Sequence, residues 1–196
     1  MKTLILILVL VPMVLGFKGA DNTVKKLAVR KESKISILGS SNVNNFSFDI
    51  KQYSGNDTLI LARSNNQSAI FKKGVLKLEA SEFRNTNPLL TKDFRKIIKA
   101  KDYPQILMLF KNLSTYPATT NESVAGIAEV QIFLAGQNKI TKLQVKTTRT
   151  GEVVYMTGTA KLCFSDFGLD APEKVMGFID VNDELQVNFK LALREF

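Results

Sequence analysis

Side chains able to do chemistry are few in this sequence. Histidine is absent from all 196 residues, which removes imidazole-activated nucleophiles and histidine metal sites. Cysteine occurs once, at Cys163, so thiolate clusters, Cys-x-x-Cys redox pairs and intramolecular disulfides are excluded as well. Glycines are too sparse and too scattered for a phosphate-binding loop or a dinucleotide fingerprint. What remains is carboxylate chemistry. Asp166 and Asp170 flank Phe167-Gly168-Leu169, and Asp180, Asp183 and Glu184 gather before the final apolar run. Paired carboxylates can divide acid and base roles between them. Beside Ser, Gly and Asn, however, such residues more commonly close turns by accepting bonds from backbone N–H groups. No electrophile or water-activating partner stands near these, so turn closure is the expected role. The chain is read as non-catalytic, with no metal and no required cofactor.

The elements that carry these residues announce themselves by a period of two. Ile35 and Ile37 alternate with polar neighbours over Ser33–Leu38, and Phe46, Phe48 and Ile50 repeat the spacing after Asn42–Asn45. Leu76 and Leu78 follow, then Ile106, Met108 and Phe110, then Val130, Ile132 and Leu134, then Leu143 and Val145. The later runs are longer. Val154, Met156, Gly158, Ala160, Leu162 and Phe164 form one face, and Leu185, Val187, Phe189, Leu191 and Leu193 another. Such alternation means strands with one dry face and one wet face; their spacing predicts eight or nine. Turn chemistry separates them at Ser54-Gly55-Asn56-Asp57, Ala135-Gly136-Gln137-Asn138, Arg149-Thr150-Gly151 and Val181-Asn182-Asp183, where Gly and Asn tolerate positive φ. One helix is predicted over Thr91–Ala100, with Thr91 as N-cap and Phe94, Ile97 and Ile98 on one face. A two-sheet sandwich and a closed barrel both fit this all-β antiparallel pattern. Alternation that persists to the last residues favours the barrel, which leaves no edge.

Ahead of the strands, Met1–Gly16 reads as a signal peptide. Lys2 supplies the charged start, Leu4 to Leu15 an apolar run broken only by Pro12, and Val14 and Gly16 the small residues of a cleavage site. That run is about a dozen residues, against the roughly 20 of a membrane span. The remaining chain divides into a polar lead-in, residues 17–32, and a single barrel domain, residues 33–196. Removing Lys2 from the 27 Lys and Arg, against 18 Asp and Glu, leaves a net charge of +8. Its lysines are scattered, as at Lys25-Lys26, Lys72-Lys73, Lys99 and Lys101, without interleaved stacking aromatics. This argues against nucleic acid and allows transient contact with an anionic membrane surface. Asn-x-Ser/Thr triplets at Asn45, Asn56, Asn66, Asn112 and Asn121 are expected by chance in an Asn-rich chain.

Several segments together resemble the YceI-like, polyisoprenoid-binding family. They are Ser36-Ile37-Leu38-Gly39-Ser40-Ser41-Asn42-Val43-Asn44-Asn45-Phe46; Phe94–Ala100 followed by Tyr103-Pro104-Gln105-Ile106; and Leu134-Ala135-Gly136-Gln137-Asn138-Lys139. The strongest is Ser165-Asp166-Phe167-Gly168-Leu169, then Pro172, then Val181-Asn182-Asp183-Glu184-Leu185. In consistent order they cover Ser33 to Arg194. Phe164 stands where many members carry an arginine, and the first loop lacks their aromatic and cysteine partners, so the chain resembles a divergent branch. The resemblance implies an eight-stranded lipocalin-like barrel with one short helix, exported to the periplasm, or secreted where there is no outer membrane. It implies a carrier or scavenger of a long apolar lipid, such as a polyisoprenoid or isoprenoid quinone, and it admits a homodimer. The inward side chains that would then meet the lipid are Phe46, Phe48, Ile106, Met108, Phe110, Ile132, Met156, Phe164 and Phe189. The alternative is a stress-linked interaction or scaffold barrel whose core those side chains fill.

Overall fold

The computed structural model describes residues 24–64, 67–171 and 180–196. Met1–Gly16, read above as a signal peptide, lies outside these residues, as do Asn66 and Pro172. The strands are β1 (Val24–Val29), β2 (Lys34–Ser40), β3 (Asn45–Ile50), β4 (Thr58–Arg63), β5 (Ala69–Lys73) and β6 (Val75–Glu79). After helix α1 (Pro88–Ile97) come β7 (Gln105–Leu113), β8 (Val124–Leu134), β9 (Gln137–Thr150), β10 (Val153–Cys163) and β11 (Glu184–Glu195).

Eight of them close a ring in the order β1-β4-β5-β7-β8-β9-β10-β11, with β11 returning to β1, and every pairing is antiparallel. The ring is a barrel and not a sandwich. Its other three strands form an upper tier: β2 pairs with the first half of β11, β3 with β2, and β6 with β7. β1 and β2 share β11 as neighbour, and Ser33 sits at the step between them. Fully buried, its hydroxyl accepts from the Ala192 N–H at 2.9 Å and so repairs the ladder across the offset.

The lower tier is ringed by ladders, whereas the upper one is not. Among the described residues no strand pairing joins β3 to β6. That seam is covered by the segment from Ala80 to Ala100, which contains a 3-10 turn (Ala80–Glu82), Phe83 and α1. Phe94 and Ile98 of α1 point into the barrel, as their spacing predicts.

The ring strands β4 and β5 lie where the sequence reading named no strand, and two boundaries differ from that reading. The stretch taken as a polar lead-in contains β1, so the ring begins at Val24, not at Ser33. Leu27 and Val29 are buried there, and pairing on both sides holds six residues in which the adjacent Lys25-Lys26 masks the alternation. The helix starts three residues before Thr91. Asn87 is the N-cap, its side chain accepting from the Leu89 N–H at 2.9 Å, and Pro88 occupies the first position, where no N–H is required. Thr91 lies inside the helix instead, its hydroxyl accepting from the Asn85 N–H at 2.9 Å. At the other end the Lys99 N–H bonds to the Lys96 carbonyl and the Ala100 N–H to the Arg95 carbonyl. Lys99 has φ +52°, the left-handed stop that glycine usually provides.

The predicted turns at Ala135-Gly136 and Gly151 are hairpins with positive φ: +51° and +81° for the first pair, +58° for the second. Gly136 has a second reason to lack a side chain, since a Cβ there would sit 2.7 Å from the Tyr103 hydroxyl.

Candidate functional site

The inward side chains of the upper tier enclose one apolar cavity. β2 contributes Ile35 and Ile37, β6 Leu78, β7 Ile106 and Met108, and β8 Ile132 and Leu134. β9 adds Leu143, β10 Ala160, Leu162 and Cys163, and β11 Leu185, Val187 and Phe189. Phe83, Phe94 and Ile98 complete the wall at the seam, and Phe164 and Phe167 close the top. The lining is hydrocarbon plus one thiol. Its free volume is about 50 Å³.

Of the residues expected to face a ligand, the structure brings Ile106, Met108, Ile132, Phe164 and Phe189 to this cavity. The others point inward or pack behind it. Phe48 stacks on Phe94 at 4.1 Å and so backs the seam wall, with Phe46 edge-on to it at 5.7 Å. Phe110 packs edge-on behind Phe189 at 6.1 Å, and buried Met156 does not line the cavity. Sequence reasoning did not single out Phe83, Phe167, Leu185 or Val187, although Leu185 and Val187 share the alternation of Phe189. Phe94 and Ile98 were legible as a helix face, but not as cavity wall.

A further row explains the shape. Gly126, Val145, Gly158 and Phe189 are successive cross-strand partners on β8, β9, β10 and β11. A Cβ on Gly158 would lie 2.4 Å from Phe189 Cζ, so the ring occupies the space that glycine leaves. Small beside large lets neighbouring inward side chains interlock in a narrow barrel.

The top is tied down by the carboxylates. Asp166 accepts from the Cys163 N–H at 2.8 Å and pairs with Lys139 at the start of β9. Asp183 accepts from both the N–H and the hydroxyl of Ser165, and its carbonyl accepts from the Phe164 N–H at 3.1 Å. These bonds fix the Ser165–Phe167 turn, ended by Gly168 in the left-handed region, and press buried Phe167 into the barrel mouth. The Lys139 ammonium holds Asp166 below the usual carboxylate range, and the Ser165 bonds do the same for Asp183. Both residues therefore close turns. Burial, followed by the field of Asp166, raises Cys163, which keeps it a thiol and a poor nucleophile at neutral pH.

The lower end is closed by the chain after β7. Tyr116 is buried beneath the Arg63 guanidinium, 4.0 Å from its ring centroid, and the Ala118 N–H donates to buried Thr147 at 3.0 Å. Ring closure is reinforced where Glu195 of β11 accepts from Lys25 of β1 at 2.8 Å and Arg149 of β9 at 3.0 Å.

No family model and no curated protein matches the chain in sequence. Solved structures do match its fold. A polyisoprenoid-binding domain from Saccharophagus degradans, implicated in plant cell wall breakdown, superposes with a TM-score of 0.65 at 10% identity, covering 89% of this chain and 100% of that one. BcnA of Burkholderia cenocepacia gives 0.62 at 17% identity over 82% of this chain and 96% of its own. The Campylobacter jejuni YceI protein gives 0.51 at 18% identity over 64% and 74%. At these identities the likeness establishes a shared barrel fold.

Proposed function

We propose that this chain, built on the same barrel as those proteins, is a non-catalytic YceI-like binding protein. It holds the tail of a long apolar lipid in the upper tier. The observation that carries the reading is the cavity wall, which offers hydrocarbon on every side and can satisfy no polar group. An apolar chain withdrawn from water into such a wall gains about 25 cal/mol per Å² buried, less the cost of ordering it. A polyisoprenoid or isoprenoid quinone is the ligand class supported by the likeness to the S. degradans domain. The free space of about 50 Å³ is roughly a third of a cavity that accepts benzene. A tail is therefore seated by moving side chains outward, with unbranched Met108 the first to yield.

Export to the periplasm, supported by the signal-like start of the sequence, puts the protein beside membranes that hold such lipids. The outer face of α1 suits that setting. Between Pro88 and Lys101, Asp93 is the sole acidic residue against Lys92, Arg95, Lys96, Lys99 and Lys101. Lys92, Lys96, Lys99 and Lys101 are exposed and in no ion pair among the described residues. Each lysine near an anionic leaflet contributes about 1 kcal/mol of attraction.

The small volume also favours a second reading, a scaffold barrel whose core is simply full. One experiment separates the two. The chain is expressed with its signal, purified from the exported fraction without detergent, weighed by native mass spectrometry and extracted with organic solvent. The lipid reading expects a co-purifying isoprenoid or uptake of added ubiquinone or undecaprenol. A homogeneous lipid-free barrel that takes up neither supports the scaffold and refutes the carrier.

A further inference from the structure

The geometry points to the seam between β3 and β6 as the portal through which an apolar ligand reaches the upper cavity, with the segment from Ala80 to Ala100 as its door. This rests on the lipid-binding reading above and adds the route.

Elsewhere among the described residues the cavity is walled by laddered strands or by tied ends; the β9–β10 ladder stops at Thr159↔Gln144, and beyond it the Ser165–Phe167 turn lies against β9 with Asp166 paired to Lys139. The β10–β11 ladder runs unbroken from Val153↔Arg194 to Cys163↔Glu184, and β8–β9 from Val124↔Thr147 to Leu134↔Gln137. Passing a lipid between such strands would break a row of backbone bonds at once. The top is held by Asp166 and Asp183 on the Ser165 turn, and the lower end by the Tyr116–Ala118 crossing. The seam has neither protection. The covering segment is joined to β3 by a reciprocal backbone pair, Asp49 N–H to the Arg84 carbonyl at 2.9 Å and Arg84 N–H to the Asp49 carbonyl at 3.2 Å. One side-chain bond adds to it, Asn85 Nδ2 to the Ser47 carbonyl at 2.7 Å.

The inner surface of this segment is itself cavity wall. Phe83, Phe94 and Ile98 line the space directly, so moving the segment outward opens the cavity without disturbing the ring. Past the polar outer cleft, a tail entering there slides along the apolar side chains of Phe83, Phe94 and Ile98. On the outside, a cleft of about 580 Å³ follows the seam between Ser47 and Asp49 on one bank and Glu82, Arg84 and Thr86 on the other.

A disulfide across the seam tests the route. Asp49 and Arg84 form a hydrogen-bonded antiparallel pair, whose Cα atoms stand about 5.5 Å apart, within disulfide reach. The full chain, its native Cys163 retained, is compared with the same chain carrying D49C and R84C, oxidised and then reduced with dithiothreitol. Uptake of dansyl-labelled farnesol is read by fluorescence. A second staple, S41C with V181C in the same background, locks the top through the non-hydrogen-bonded pair at that end. The expected result is loss of uptake with the seam staple oxidised, recovery on reduction, and undiminished uptake with the top staple. Equal uptake with the seam locked and unlocked overturns the portal and leaves lipid binding standing. No uptake in the parent chain or the reduced form overturns both. Hydrogen exchange on the unaltered chain is an independent measurement: the Asp49 and Arg84 amides should exchange ahead of those in the β10–β11 ladder, and equal protection overturns the proposal.

Discussion

Replacing Gly158 by alanine tests whether the row Gly126, Val145, Gly158, Phe189 shapes the cavity. The new Cβ would lie 2.4 Å from Phe189 Cζ, 2.6 Å from Cε1 and 3.1 Å from Val145 Cγ1. Ordinary contact begins at 3.4 Å, so the ring must withdraw by the difference, 1.0 Å. The Phe110 ring stands edge-on at 6.1 Å and resists motion toward it, leaving the cavity that Phe189 already lines. Overpacking of this kind costs about 1–3 kcal/mol, and replacing a strand glycine returns about 0.5–1 kcal/mol. The net loss is then about 0–2.5 kcal/mol, a fall in Tm of up to roughly 10 °C for a domain of this size. Urea and thermal unfolding followed by circular dichroism measure the loss, and farnesol uptake should fall with it because the displaced ring consumes the free space. A variant that takes up lipid as well as the parent, whatever its stability, would show that the Phe189 ring does not set the cavity's capacity.

Lys99→Gly should raise stability by about 0.5–1 kcal/mol, since φ +52° is unstrained for glycine; an unchanged urea midpoint contradicts the helix-stop geometry. Asp183→Ala removes the acceptor for the Ser165 N–H and hydroxyl. It should cost about 1 kcal/mol and loosen the top, seen as faster amide exchange at Ser165 with β9 unaffected. In acid, Glu195 controls ring closure. Burial alone would raise its pKa, but Lys25 and Arg149 outweigh that and lower it below 4.5. Its contribution is therefore complete above the unfolded value and disappears as pH falls through the lower folded one. Glu195→Gln should flatten the stability profile below pH 4.5 relative to the parent; parallel profiles would assign acid unfolding to other groups.

The sequence displays its long strands plainly. On β10 and β11 the alternation runs uninterrupted between turn signals, so face and length are both legible. It is less informative about height. Met156 and Phe189 point inward by the same rule, yet Phe189 lines the cavity and Met156 does not, because height depends on strand tilt and register across the ring. β1, β4 and β5 escaped notice: only Leu27 and Val29 mark β1, whose partners lie in β4 and β11, the continuous apolar run Leu59-Ile60-Leu61-Ala62 hides the alternation of β4, and β5 is five residues with Ala69 alone buried. The helix start was missed because the Asn87-Pro88 pair, a stronger signal than Thr91, stands ahead of the apolar periodicity. The seam has no local signature. It arises from which strands fail to pair, and no window of residues contains that information.

The junction of β1 with β11 governs how this chain must assemble. The meander from β7 to β11 pairs neighbours in sequence, while Lys25 and Glu195 meet from 170 positions apart. Loop-closure entropy places such a contact late, after the local hairpins have formed. Until then β11 presents open backbone donors and acceptors to whatever strand arrives first, including the β1 of another molecule. Folding therefore ends with the step that makes the sheet endless, and the interval before it is when this protein is most exposed to self-association.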